Sequence, residues 1–593
     1  MRQGRCAARP LLPALSVSGG LWQAGGILLL RIPAHHPILA GPVAPGTPFP
    51  MPSRSAPARH PDPVRLAAVR AYAAFRAGGV FRPTAPAALR EPQQRRLYAN
   101  LLRGMVRHSR RLEAEAARLA KRPPERLTAP VMGALVLGLY QLTELQQADH
   151  AAVFETVELL GALGQARAKG LVNAVLRGAL RERAAAERSP GGGNHTAERL
   201  PGGADDTAER LPGGANHTAQ QRPPASLALR TSHPDWLVER WVRRYGAAAA
   251  ERICEANNRF ETSGVRVNEA RVSRADLLER LAREGVDAAP HPLLPGALLV
   301  RHLAALLDSA AFAEGLCTVQ DAGSQLLGCW IAPLLRGPLL DACCAPGGKL
   351  THLAELALRG FNAPLRGVPE PLRGAAEPLR GVPEPLRGVA GAQPKPAGPL
   401  RLVGLDSSAK RLARVRENIR RLRLNAPPLV AGDARHLPFR AGAPGGGWDT
   451  ILLDVPCSAT GMIRKYPELK WRRHAEDLVR LGETQGALLD AAAPAVAPGG
   501  RIVYVTCSLE PEENEQQVEA FLARTPGFRR RSFRDIPPPQ GLGDPGGLVD
   551  AAGDLHVLPD TDRMGLFAAI LEAAGTRAPA AAGPADAPRS ATP

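Results

Sequence analysis

Two cysteines carry the densest chemical signal in this chain. The apolar run Thr450–Leu453 ends in Asp454-Val455-Pro456-Cys457, and the run Ile502–Val505 ends in Thr506-Cys507. Two further runs end in acids, Leu400–Leu405 at Asp406 and Leu429–Ala431 at Gly432-Asp433. In an open parallel sheet, ligands bind beyond the carboxyl ends of the strands, so these polar ends are expected on one rim. One strand-end Asp is as well explained as a helix cap. A lone cysteine in such a sheet is usually a small buried hydrophobe. Two cysteines closing strands beside a nucleotide-type pocket point instead to thiolate chemistry on an electron-poor carbon.

The element that must position them is LLDACCAPGGKL, residues 339–350. It predicts a short strand ending at Asp341, a turn through Cys343, Cys344, Ala345, Pro346, Gly347 and Gly348, and a helix opening at Gly347–Lys349. Glycines let the backbone close on a ligand, and the helix start offers free N–H groups. Asp406 lies about one βα unit further on once a repeat insert is discounted, where a ribose-binding acid is expected. Asp433 would then face an adenine.

The rest of the chain divides by composition. With 593 residues, several cores are needed. Residues 1–61 are expected to be a disordered or wrongly included extension, with Met51 as the start of translation. Residues 62–187 have helical apolar spacing at Val64–Tyr72, Leu97–Val106, Val131–Leu145 and Ala151–Leu163. An eleven-residue repeat, NHTAERLPGGA then DDTAERLPGGA, marks 188–225 as a linker. Residues 226–316 read as a small α/β unit, 317–573 as the main α/β domain and 574–593 as a disordered tail. Within the main domain, 363–398 holds a PLRG repeat at seven-residue spacing. A Pro and a Gly in each unit forbid a continuous helix, so a surface loop without catalytic role is expected.

The net charge of +19 and pI near 10.3 fit a polyanionic partner, or simply a coding sequence that favours Arg. Residues 401–440 alone hold ten Lys/Arg against three Asp/Glu, which suits both phosphate steering and a solvated helix face. Eight cysteines without a CxxC pair or a Cys/His cluster argue against a structural zinc site and fit a reducing compartment.

The chemistry narrows further with one class of substrate. Cytosine C5 is too weak a nucleophile to take a methyl group unaided. A thiolate adding at C6 makes C5 enamine-like, and loss of the C5 proton then expels the thiolate. DVPCSATG (454–461) and TCSLEPEENE (506–515) resemble the Sun/NOL/NOP RNA 5-methylcytosine methyltransferase family. LGLYQL (137–142), HAAVFETVEL (150–159) and KGLVNAVLR (169–177) look like the NusB-like RNA-binding domain that precedes the catalytic part in some members. The resemblance covers about 63 to 572, apart from the two repeat segments. It implies an all-α NusB-like domain, a small α/β RNA-binding subdomain and an α/β Rossmann-like class I S-adenosylmethionine-dependent methyltransferase domain. It further implies S-adenosylmethionine contacts from Cys343–Lys349, Asp406, Asp433 and Asp454. Cys507 is implied as the nucleophile and Cys457 as the group assisting release, while Asp454 could also serve the cytosine edge. The implied partner is 16S ribosomal RNA, unassembled or partly assembled, met by a cytoplasmic monomer without membrane or metal. Cys344, Val455 and Met564-Gly565-Leu566-Phe567 depart from the family pattern. The alternatives are a DNA cytosine-C5 methyltransferase and an RNA-binding assembly factor without turnover. A second cysteine at Thr506-Cys507 and the NusB-like part favour RNA over DNA. Tyr466 and Trp471 could stack or pack near the cytosine, packing being the simpler role.

Overall fold

The computed structural model describes residues 61–145, 147–188, 226–259, 262–359, 401–439, 447–539, 542 and 547–575. The N-terminal extension up to residue 60, the eleven-residue repeat, the PLRG insert and the tail beyond 575 lie outside the described residues.

Residues 129–143, APVMGALVLGLYQLT, are apolar all round, and such a helix must be central. It is: every residue from Val131 to Leu142 is buried. The amphipathic helices Pro63–Arg76, Pro92–Arg107, Ser109–Ala120, Asp149–Ala162 and Lys169–Arg188 surround it. Two more helices, Asp235–Tyr245 and Ala247–Asn258, break at Gly246, which has a φ of +81°. Their core is shared with Ile463 and Leu509 of the main domain rather than with the small sheet that follows.

That sheet is antiparallel with order β2-β3-β1-β4, where β1 is Ser263–Val267, β2 Ala288–Pro290, β3 Ala297–Val300 and β4 Cys317–Val319. The expected boundary at 316 therefore falls one strand early. Cys317 opens a strand that pairs with β1, not a lead into the main domain.

The main sheet has eight strands: β5 (Leu339–Asp341), β6 (Leu402–Asp406), β7 (Leu429–Ala431), β8 (Trp448–Asp454), β9 (Val496–Thr506), β10 (Phe528–Arg531), β11 (Leu555–Val557) and β12 (Leu566–Ala573). Its path is β10-β12-β9-β8-β5-β6-β7, with β11 on β12. Strands β5 to β9 are parallel, and β12 closes antiparallel on β9 in register Phe567↔Thr506. The departure at 564–567 thus leaves the closing strand intact. Strand order reverses between β5 and β8, which opens a crevice above Asp341 and Asp454.

The helical domain and the main domain meet around one buried ammonium. Lys470 Nζ donates to Arg107 O at 3.1 Å, Ser232 O at 3.1 Å and Asn258 Oδ1 at 2.7 Å. Trp471 Nε1 donates to Val106 O at 2.9 Å, and the ring packs on the helical core. Trp471 is therefore an interdomain contact. Burial, then the charge of Arg107, pulls the Lys470 ammonium well below its ordinary value. His108 is pulled down to about 2 by burial and then by Lys470, outweighing Glu144 at 3.8 Å. Burial, followed by Lys470, also lowers His233. Both rings are neutral when folded and gain a proton on unfolding below about pH 6.5. Stability should therefore fall as pH drops through that value, by about 1.4 kcal/mol per pH unit for each ring. Thermal unfolding from pH 7.5 to 5 checks this, and a His108→Gln variant should show a shallower decline; equal slopes would contradict the assignment.

Candidate active site

Each feature of the rim follows from where a strand stops. Strand β5 ends at Asp341, fully buried, with neither carboxylate oxygen meeting a side-chain donor. Burial and then the charge of Asp454 push its carboxyl up to about 8. The turn that follows closes at Gly347, whose φ is +102° and whose missing Cβ would sit 3.1 Å from Val415. A side chain there would meet both strain and a wall. Gly348 opens the helix Gly348–Arg359, and its carbonyl accepts from Arg266 at 3.1 Å and Gln320 at 3.2 Å. Arg266 itself is buried on β1 and paired to Glu355 at 2.7 Å, so the small sheet braces the turn.

Asp406 ends β6 and faces the same turn. It accepts from Ala345 N at 3.3 Å and Ser408 N at 2.8 Å, and pairs with Arg411 at 2.9 Å. Pro346 is exposed on the outer side of that turn. Asp433 ends β7 and is held by Arg435, whose hydrogen bonds draw the carboxyl down to about 2. Both sequence-predicted acids stand at strand ends, each already engaged by an Arg. Burial raises the thiols of Cys343 and Cys344 far above the ordinary range. Cys344 packs with Leu350, Leu412 and Val415, so its contribution to the turn is backbone and bulk.

The decisive geometry lies across β8 and β9. Cys457 Sγ and Cys507 Sγ stand 3.2 Å apart, and Cys507 N donates to Cys457 Sγ at 3.3 Å. The hydrogen bond with Cys507 and then burial push the Cys457 thiol well above its ordinary value. Lys349 Nζ lies 2.7 Å from Asp454 Oδ2. Burial alone would lower its ammonium, yet Asp454, with Cys507 and Asp341, more than reverses this and raises it. The ammonium of Lys349 thus stays charged at the rim, held by Asp454. The two cysteines and the Gly-Gly turn share one rim at the point where strand order reverses.

Several supporting residues gave no signal in the sequence. Glu513 is fully buried beside the Cys457 loop. It accepts from Ser458 N at 2.7 Å, from Ser458 Oγ and from Gln485 Nε2 at 3.0 Å. Gln485 also donates to Pro456 O at 3.0 Å. The second loop is tied to the first by Ser458 Oγ to Ser508 Oγ at 3.0 Å and Gly461 N to Cys507 O at 3.0 Å. Gly461 also lies against Gly565, where a Cβ would come within 2.8 Å of backbone. Glu513→Gln turns one acceptor into a donor facing Ser458 and Gln485. Losing about 1.5–3 kcal/mol of charge-assisted bonding should cut turnover roughly 10- to 100-fold with little change in RNA affinity. Single-turnover kinetics checks this; unchanged turnover would remove Glu513 from the account.

Comparison with known proteins decides the family. Over 491 residues the chain is 35% identical to the ribosomal RNA small subunit methyltransferase B of Pseudomonas putida, covering 82% of this chain and 93% of that one. The chain belongs to the 16S rRNA methyltransferase RsmB/F family. The RsmB/F model matches residues 397–572, an RsmF/B-like ferredoxin-like domain matches 233–305 and the NusB family matches 64–181. The Vibrio cholerae ribosomal RNA small subunit methyltransferase B is 33% identical over 469 residues, covering 79% of this chain and 90% of that one. The crystal structure of PH0851 shares the fold with a TM-score of 0.57 at 21% identity, covering 86% of this chain and 99% of its own. The RsmB/F ferredoxin-like match includes the helices 235–258 that pack on the main domain here. Among the described residues, no helix is long and apolar enough to cross a membrane.

Proposed function

We propose that this chain methylates C5 of a cytidine in 16S ribosomal RNA, with S-adenosylmethionine as donor and Cys507 as transient nucleophile. The observation that carries the reading is the thiol pair at 3.2 Å on the rim that also holds the Lys349–Asp454 ion pair. Cys507 Sγ adds to C6, and the C5=C6 electrons move toward C5. Asp454 accepts from the cytosine exocyclic amine while Lys349 fixes its carboxylate. After methylation the C5 proton leaves to a base, the double bond re-forms and the C6–S bond breaks. Cys457 donates its S–H to the departing Cys507 sulfur.

The residues present fit the donor. Asp341 offers a buried carboxyl without a side-chain partner, which an ammonium group placed against it would draw into its ionised form, and Gly347 leaves room for close backbone approach. Asp406 retains acceptor capacity toward ribose hydroxyls, and Asp433 marks the adenine end of the rim. When bound, S-adenosylmethionine supplies an electrophilic methyl group. Its positive charge suits a rim with acids at Asp341, Asp406 and Asp454.

A base paired inside an RNA helix must be unstacked before attack, so unassembled or partly assembled RNA, met by a monomer in the cytoplasm, is the proposed substrate. Bisulfite sequencing of 16S rRNA from cells with and without the protein tests the reading. One protected cytidine that disappears with the protein is expected. An unchanged pattern would leave an RNA-binding factor without turnover.

A further inference from the structure

The helix Ala409–Leu422 sorts its arginines into two groups. Between residues 409 and 423 there are seven basic residues and one acid, Glu417. Those facing neighbouring elements are spent. Arg421 donates to Phe312 O at 2.7 Å and Cys317 O at 2.8 Å, and covers the Phe312 ring, while Arg411 pairs with Asp406. Arg416, Arg420 and Arg423 face outward instead, at i, i+4 and i+7, which puts them on one face. All three are exposed, and among the described residues none has an ion-pair partner. They line a groove of about 570 Å³ whose floor includes Ile419, Leu424 and Leu429.

Two features argue against a merely solvated face. Arg423 caps the helix in the left-handed region, at φ 56°, where Gly or Asn would sit without steric cost. Across from it, burial and then the charge of Arg423 pull Arg271 down, so like charges are held together there. The helix dipole favours cations in the last turn, which accounts for Arg420 and Arg423 but not for Arg416.

We propose that this groove grips the phosphodiester backbone of the substrate RNA at a second point, away from the reacting base. The proposal rests on the RNA methyltransferase reading above. Counting along the helix from Ser408, two residues past the end of β6, the backbone of the three arginines lies about 12 to 22 Å down the helix axis at 1.5 Å per residue. A short oligonucleotide would fill the rim alone, whereas a longer RNA would reach both.

The test uses the full chain with Arg416→Gln, Arg420→Gln and Arg423→Asn combined. Binding to a protein-free 16S rRNA fragment is measured by anisotropy from 50 to 200 mM salt, alongside methyl transfer to that fragment and to a short oligonucleotide spanning the modified cytidine. Loss of three phosphate contacts should make the slope of log affinity against log salt shallower by about two to three. KM for the long fragment should rise at least tenfold with kcat unchanged, the short oligonucleotide should react as before, and the matching triple Lys variant should restore the slope. Unchanged slope and affinity would overturn the proposal, as would an equal loss on short and long RNA. Loss of binding to an acidic protein segment but not to protein-free RNA would overturn it too. If the wild-type chain shows the steep, arginine-dependent slope but transfers no methyl group, the catalytic reading fails and the grip stands.

Discussion

Cys507→Ser should lose methyl transfer by about 10⁴-fold or more while RNA affinity and donor binding stay near wild type. A serine hydroxyl ionises far less readily than a thiol, and Lys349 beside residue 507 cannot make up that difference. The substitution is nearly isosteric, so the backbone bond from residue 507 to Cys457 and the β9 register should survive. The measurement is transfer of radiolabelled methyl to rRNA under single-turnover conditions. Full turnover by this variant would remove Cys507 from the nucleophile's role.

The second large effect is opposite in kind. Cys457→Ala should allow attack and methylation but stall release, leaving protein and RNA joined. At 3.2 Å a Cys457 S–H can stabilise the leaving thiolate, and alanine offers no donor. Loss of such an acid slows a step by about 10²- to 10⁴-fold, long enough for the adduct to survive denaturation. An RNA-dependent, denaturation-resistant band on a gel is the expected result. Free methylated RNA released at the wild-type rate would show that Cys457 takes no part in departure.

What the sequence made legible was the rim. Asp341, Asp406, Asp433, Asp454, Cys457 and Cys507 could be placed because a parallel strand has one functional end, and each of these closes an apolar run. The Gly-Gly turn was readable for the same reason, since the absence of Cβ is visible in the letters. Partners supplied by tertiary contact were not readable. Nothing in TCSLEPEENE distinguishes Glu513, buried against Ser458 and Gln485, from Glu510, which meets Arg240 and Trp241. YPELKW allowed either stacking on a base or packing, the simpler role, and could not say against what: Lys470 and Trp471 pack on the helical domain 363 to 365 positions earlier in the chain. Local pattern also misplaced β4, because Cys317–Val319 is too short to declare which sheet it joins. Conversely, the basic run at 401–440 allowed two readings that only exposure and pairing could separate. Arg421 is structural, whereas Arg416, Arg420 and Arg423 are exposed and have no ion-pair partner among the described residues.

The central claim is that Cys507, and not its neighbour 3.2 Å away, bonds to the pyrimidine. An RNA carrying 5-fluorocytidine at the modified position tests it directly in the unaltered protein. Once methylated, such a ring has no C5 proton to lose, so the sulfur cannot leave. Peptide mapping of the trapped species should find the nucleotide on Cys507. A nucleotide on Cys457, or no covalent species despite methyl consumption, would contradict the account.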